Sequence, residues 1–371
     1  MKRTRVTIAQ VTAEENLLCA LAVVNSSHRR ERNHRLNKTV LRIESDPAAA
    51  VKALREILTH PDTYYPTKPR VRARWDANAL KWRDIAEQPI WPDQYIYHAV
   101  IQVLQPTMMR GMDKYCCASI KGRGTGYGRK HLERWLRRDR KHTRYAGEGD
   151  IHHFYESLQP AVVMQRLRRL FKGREVLTIC EHMMHYGVIA GAFFSQWFAN
   201  TTLQELDRMI REDGAAHYYT RHMDNLIILG SNKRKLHRLF RRIEQWLCSH
   251  ELRLKGNWQI FPLRDTRRAR TVCAFGYRYQ HGMTRLRKAK QLCIRRQVRV
   301  YLRRRGRVSA HFAASLLSRL GMLKHCRHTR FYAAYIPDHL QRRLKDIVRQ
   351  RARKENGKWR LSTSSAMTAT P

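Results

Sequence analysis

The stretch YYTRHMDNLIILGSN, Tyr218 to Asn232, decides how the rest of the chain is read. Two polar residues, Asp224 and Asn225, separate the aromatic and basic run Tyr218–His222 from the apolar run Leu226–Leu229. Residues 217–230 read as a hairpin of two short strands with the polar pair at its turn. An acid in the middle of a hydrophobic hairpin is costly unless it has a partner or a ligand.

The acid stands out because acids are scarce. Lys plus Arg number 74 against 30 Asp plus Glu, a net charge of +44 over 371 residues. Like charges repel in a compact state, so a polyanionic partner is implied: nucleic acid first, an anionic membrane second. No apolar run approaches the roughly 20 residues of a spanning helix, which argues against the membrane. Glu14 and Glu15 interrupt the apolar stretch near the N-terminus, against a signal peptide. Eight scattered cysteines without CxxC spacing read as reduced thiols of a cytoplasmic protein. His325, Cys326 and His328 lack a second ligand pair at finger spacing, so zinc is not expected.

At roughly 150 residues per domain the chain should form two or three packed units. Residues 1–80 read as basic and largely helical, with an N-capped amphipathic helix in 46–66 ended by Pro61 and Pro66. WPDQYIYHAVIQVLQP (91–106) reads as a helix bracketed by prolines. SIKGRGTGYGRK (Ser119–Lys130) is glycine-rich and basic, and leads into a helix, HLERWLRRDRKHTR. Asp150 opens DIHHFYESL at the end of a short strand, and a helical region follows to about Met184. Gly187–Ile210 reads as a loop flowing into one long amphipathic helix. After the hairpin come a helix, NKRKLHRLFRRIEQWLCSHEL, and a β-like stretch, Arg270–Gln280, interrupted at Gly276. Arg285–Arg307 holds eleven basic residues and no acid. LSTSSAMTATP reads as disordered.

An acid at a strand end, an acid at a hairpin tip and a small-residue loop before a helix recur together in template-directed polymerases. Nucleotidyl transfer uses two Mg²⁺ ions about 4 Å apart. Mg²⁺ takes hard oxygen ligands, usually one or two carboxylates plus substrate phosphates. Acids distant in sequence must therefore converge on adjacent strands.

From about residue 85 to 335 the chain resembles a reverse transcriptase, most closely the diversity-generating retroelement type. WPDQYIYHAVIQVLQP and SIKGRGTGYGRK resemble the first two fingers motifs, and DIHHFYESL the motif of the first catalytic Asp. GVIAGAFFSQWFANTTLQELD is similar to the motif with a Gly-x-x-x-Ser-Gln core, and RHMDNLIIL stands in the place of the Tyr-x-Asp-Asp turn. LRLKGNWQIFPL and FGYRYQ resemble the lysine-bearing motif and the primer-grip hairpin, and SRLGMLKHCRHTRFYAAYI the thumb. Each motif alone is weak, and their order carries the resemblance. Ala190–Gly191 and Ser195–Gln196 select the subgroup, because most reverse transcriptases carry Gln-Gly and Ser-Pro there. In the subgroup that change accompanies error-prone copying, mainly opposite template adenines.

The resemblance implies roles. Asp150 and Asp224 would hold metal with the carbonyl of Ile151, and Asn225 takes the place of a second turn acid. Tyr155 stands at the steric-gate position, with Phe154 packing inward. Lys121 and Arg123 would hold the incoming triphosphate, where Gly122 and Gly124 allow close backbone approach. Gly191, Ser195 and Gln196 would contact the nucleotide or template base. Lys255 reads equally as the general acid to pyrophosphate or as a solvated helix-end lysine. The basic run, with Arg287, Lys288, Lys290, Arg295, Arg296, Arg299 and Arg303, and Lys324 beyond it, would grip a template–primer backbone.

Three departures bear on activity. The turn reads His222-Met223-Asp224-Asn225 where the family has Tyr-Met-Asp-Asp, which removes a negative charge and should weaken metal binding. The run Ala146–Gly149 puts two glycines in a strand that is apolar in the family. Gln94 stands where Arg is frequent.

The implied fold is α+β: a right-hand polymerase with an antiparallel palm sheet, mixed fingers and a helical thumb. The division is a basic N-terminal region 1–80, fingers 81–149, palm 150–283 with a fingers insertion at about 159–186, thumb 284–350 and a basic, partly disordered tail 351–371. The implied activity is RNA-directed DNA polymerisation in a bacterial or phage retroelement. It would use two Mg²⁺ ions, or Mn²⁺, on dNTPs, a template RNA and a DNA primer or RNA–DNA duplex. A small basic accessory protein would assist, and no membrane is involved. The alternatives are a weakened or inactive RNA-binding descendant and a phage-defence reverse transcriptase.

Overall fold

The computed structural model describes residues 2–29, 36–76, 81–266 and 269–351. Two units divide the chain: residues up to Lys130 with Lys141–Pro262, and His131–Arg140 with the residues from Leu263 onward. Most of the predicted tail, 352–371, lies outside the described residues, as does Arg30–Arg35.

The first unit begins with a two-residue strand β1 (Thr4–Arg5) and helices α1 (Ile8–Thr12), α2 (Glu14–His28), α3 (Lys38–Ser45) and α4 (Pro47–Thr59). Three of these helix starts have local causes. Thr7 and Gln10 form a capping box, Asn37 accepts from Thr39 and Val40, and Asp46 accepts from Ala49 with Pro47 in the first turn. α4 stops ahead of Pro61, in agreement with the helix predicted in 46–66.

A hairpin comes next, β2 (Arg70–Asp76) paired antiparallel with β3 (Lys81–Glu87). The largely helical reading of 1–80 is corrected here. Pairing with the adjacent β3 and the cross-strand contact of Trp75 with Trp82 override the weak intrinsic preference of an Arg- and Ala-containing stretch. Helix α5 (Tyr95–Gly111) is the axis of the core, with Tyr95, Ile96, Tyr97, Ala99, Val100, Ile101, Leu104 and Met108 all buried. A helix apolar around most of its circumference has to be surrounded. It runs past Pro106, where the sequence predicts its end. Burial of Leu104, Thr107 and Met108 on either side of the exposed Pro106 holds the helix through a local cost of about 3 kcal/mol for an interior proline.

α6 (Thr125–Arg138) starts earlier than predicted, and its residues from His131 onward belong to the second unit. Then come β4 (Tyr145–Asp150), α7 (Phe154–Ser157), α8 (Pro160–Leu170), β5 (Phe171–Lys172) and α9 (Arg174–Met183). β5 pairs in parallel with β1. The predicted long helix is two, α10 (Phe193–Thr202) and α11 (Gln204–Glu212), separated at Leu203. β6 (Tyr218–His222), β7 (Asn225–Gly230), α12 (Lys233–Cys248) and β8 (Gln259–Pro262) complete the unit.

Four of these strands form one antiparallel sheet, in the order β6–β7–β4–β8. Leu226–Leu229 is buried at every residue because β7 is an interior strand covered on both faces. The two glycines of β4 have a packing reason. A Cβ on Gly147 would run into the Phe240 ring of α12, and one on Gly149 would lie 3.2 Å from the same ring. Phe240 in turn stacks on Trp258, centroids 4.9 Å apart. The expectation of a weakened strand is therefore corrected: all six residues of β4 pair with β7, and the absent side chains seat the helix against the backbone.

In the second unit β9 (Val272–Ala274), β10 (Tyr277–Gln280) and β11 (Met283–Leu286) form an antiparallel sheet. The interruption at Gly276 is the turn between β9 and β10, with φ of 50° at Phe275 and 87° at Gly276. Helices α13 (Lys288–Arg303), α14 (Ala310–Leu323) and α15 (Thr329–Tyr335) follow. The Tyr277 hydroxyl donates to the Met322 carbonyl at 3.0 Å and ties the sheet to α14. Among the described residues no helix is long and apolar enough to cross a membrane.

Candidate active site

Asp150 ends β4 and pairs with Asn225, the first residue of β7. Asn225 also pairs with His222 at the end of β6. Met223 and Asp224 are left as a two-residue turn. The Ile151 N–H donates to the Asp224 carbonyl at 3.0 Å. The sheet thus brings Asp150, Ile151, Asp224 and Asn225 to one end, from segments far apart in sequence.

Asp224 senses the Asp150 charge. Burial, and then the charge of Asp150, hold Asp224 above the ordinary carboxylate range. Its backbone amide, Lys255 and Asn225 pull the other way. Asn225 Nδ2 donates to Asp224 Oδ1 at 3.2 Å. Lys255 belongs to the same cluster: its Nζ lies 3.2 Å from Asp150 Oδ2, and its N–H donates to the Asp150 carbonyl at 2.8 Å. Burial lowers the His222 pKa, against the pull of the Asp224 charge.

Two crowded carboxylates, one of them penalised by burial, gain from a divalent cation. The donors are oxygens, which suits Mg²⁺ or Mn²⁺. Among the described residues no group of three or more His, Cys, Asp and Glu gathers into a closed metal cage.

Tyr155 stands beside the turn, its hydroxyl 3.8 Å from Met223 Sδ. Burial, and then the charge of Asp224, push its phenol pKa up. Phe154 is buried, as expected of the inward member of the pair.

Behind the turn lies a network that sequence reading misses. Arg221 is wholly buried and binds Asp207 through Nε and Nη2 at 2.8 and 2.7 Å. Its Nη1 donates to Asn200 Oδ1 at 2.7 Å and to the Met223 carbonyl at 3.0 Å. The Tyr219 hydroxyl donates to Asp207 Oδ1 at 2.6 Å. Burial works against the Arg221 cation, and the Asp207 charge more than offsets it. Met223 has a φ of 54°, in the left-handed region that non-glycine residues rarely adopt. The Arg221 bond to its carbonyl braces that conformation. One signal was readable: Asp207 lies on the apolar stripe Leu203, Leu206, Ile210 of its helix, where an acid needs a partner.

The remaining predicted residues are placed less uniformly. Gly191 has a φ of 114°, and a Cβ there would lie 2.8 Å from the Ala86 carbonyl oxygen of β3. Only glycine fits that approach. Gln196 is partly exposed, whereas Ser195 is 1% exposed and its hydroxyl has no hydrogen-bond partner among the described residues. The Ser195 hydroxyl is thus closed off from solvent. Lys121 is exposed, and Arg123 Nη1 donates to the Asp113 carbonyl at 3.2 Å. Their loop is tied to β6: the Cys117 N–H donates to the Arg221 carbonyl at 2.8 Å, and the Arg221 N–H to the Tyr115 carbonyl at 3.2 Å.

In the second unit α13 buries Ile294, Val298 and Tyr301, and turns Lys288, Arg296, Arg299 and Arg303 to solvent. Arg287 and Lys324 are exposed, and Lys290 is partly so. Arg295 differs: its guanidinium lies over the Tyr335 ring, 4.1 Å from the centroid, and its Nε is buried. It is a packing cation in place of the surface contact the sequence suggests.

A structure of apo telomerase from Candida tropicalis, truncated from its C-terminal domain, is similar at a TM-score of 0.45 and 12% identity, over 59% of this chain. The chain spans about half the length of that telomerase, 54%. No protein-family model matches the chain, and no curated protein matches it.

Proposed function

We propose that the chain is a metal-dependent nucleotidyltransferase of the reverse-transcriptase type, which copies a template RNA into cDNA. The observation that carries this reading is the placement of Asp150, at the end of β4, beside the β6–β7 turn that holds Asp224, where the Asp150 charge acts on Asp224. Asp150, Asp224 and the carbonyl of Ile151 would hold Mg²⁺ or Mn²⁺, two ions in the full reading. Bound metal supplies a more acidic primer hydroxyl and neutralises phosphate charge.

The chain's own residues do the rest. Tyr155, whose hydroxyl lies 3.8 Å from Met223 Sδ, would set its ring against the sugar of a dNTP and exclude a 2′-OH. Lys255 Nζ, 3.2 Å from Asp150 Oδ2, would be the group that gives a proton to departing pyrophosphate. Lys121 and Arg123 neutralise the triphosphate. The exposed face of α13 grips the duplex backbone without reading sequence. The pattern Ala190–Gly191 and Ser195–Gln196 supports the diversity-generating subgroup, with error-prone copying and a small basic accessory protein.

Asn225 favours a second reading, a weakened or inactive descendant that keeps RNA binding. Primer extension on an RNA template with Mg²⁺ or Mn²⁺ separates the two. The first reading expects extension that Asp224→Ala abolishes. If neither the native chain nor Asn225→Asp extends a primer, the second replaces it. Near-identical repeats differing at adenines beside the gene would favour a diversity-generating element over a phage-defence enzyme.

A further inference from the structure

The hairpin β2–β3 carries aromatic surface that its own unit leaves in water. Trp75 is 47% exposed, Trp82 66% and Val71 65%. The register sets Trp75 directly opposite Trp82, Ala73 opposite Asp84 and Val71 opposite Ala86, so these residues share one face. The two indoles meet edge to face, with centroids 5.5 Å apart and planes at 66°. Strand alternation places Arg70, Arg72 and Arg74 on the opposite face, all exposed, with Arg72 paired to Glu87 at 3.3 Å. The hairpin is thus a two-sided blade, aromatic on one side and cationic on the other.

Exposed indoles add little to the stability of the fold, and a contiguous exposed apolar face marks a contact surface. We infer that this face is a stacking platform for single-stranded nucleic acid. Two observations select that occupant. The chain carries a net charge of +44, which calls for a polyanion. The two adjoining indoles offer π faces on which unpaired bases stack, and the exposed arginines of the opposite face add to the positive field around the hairpin. A duplex keeps its base faces stacked inside, so a single strand is the form that can use the platform. The inference stands whether or not the chain polymerises.

The test is binding to a labelled single-stranded homopolymeric RNA and to a duplex RNA, in EDTA and without nucleotide, read by fluorescence anisotropy on the full chain. Without metal or dNTP it is blind to catalysis, so a failed extension assay does not bear on it. Trp75→Ala and Trp82→Ala should each weaken single-strand binding about tenfold and leave duplex binding little changed. Trp75→Phe and Trp82→Phe keep a π face and should retain most of the affinity, which guards against loss through misfolding. Arg70→Gln with Arg74→Gln should flatten the salt dependence. Native single-strand affinity in the double alanine variant overturns the platform and leaves the face to a protein partner. An equal loss on single strand and duplex also overturns it, because a general cationic grip would then explain the binding.

Discussion

Arg221 and Asp207 form a bidentate ion pair in the interior, at 2.8 and 2.7 Å, and the free arm of the guanidinium reaches the Met223 carbonyl. The strand that leads into the turn is therefore fixed to the helix beneath it. Removing one member of a buried pair strands the other, at a cost of about 3–5 kcal/mol. Arg221→Met should lower the denaturant midpoint accordingly, and Asp207→Leu added to it should recover part of the loss. Additive losses in equilibrium unfolding would show that the two residues are not coupled.

Asn225→Asp should tighten divalent-ion binding by about tenfold, a change of about 1.4 kcal/mol. It replaces an amide that donates to Asp224 with a carboxylate that repels it. The metal-free variant should accordingly melt lower than the native chain, and saturating Mg²⁺ should close the gap. Mn²⁺ titration followed by electron paramagnetic resonance reads the affinity without any polymerisation.

Asp224 gives a pH signature with a defined sign. Its folded pKa is raised, by burial first and the Asp150 charge second. The unfolded chain therefore ionises this group more readily than the folded one. The resulting cost is fully present above the folded pKa and vanishes below the unfolded value of about 3.9. Asp224→Asn should melt higher than the native chain at pH 8 without metal, and that advantage should disappear toward pH 4. A constant difference across the range would mean that ionisation is not its source.

Gly147→Ala should destabilise by about 1–3 kcal/mol, because its Cβ enters the space of the Phe240 ring. Gly149→Ala, at 3.2 Å from that ring, should cost less. Phe240→Leu should rescue Gly147→Ala in part. Equal melting temperatures for the native chain and Gly147→Ala would remove the packing account of the glycine.

The hairpin over 217–230 and the strand ending at Asp150 were legible because local signals set them: a polar pair between short strand-like runs, and an acid in a chain poor in acids. Asp46 with Pro47 gave the start of α4 for the same reason. What the sequence hides depends on partners. Arg221 looks like any surface arginine in a strand until Asn200 and Asp207, on two upstream helices, are folded against it. The β4 glycines look like a defect until Phe240 arrives from α12. The strand Arg70–Asp76 is lost in a basic region whose pairing partner lies beyond the turn. Pro106 looks like a helix end until the burial of Leu104, Thr107 and Met108 around it is known.

The bond from Arg221 to the Met223 carbonyl has a use in engineering. Because Arg221 holds the Met223 carbonyl from below, the turn has a brace that does not run through the side chain at 225. His222→Tyr with Asn225→Asp would install the full tyrosine-and-twin-aspartate turn without remodelling the hairpin. The scaffold is in that sense a socket, into which alternative catalytic tips can be fitted and compared on one unchanged body.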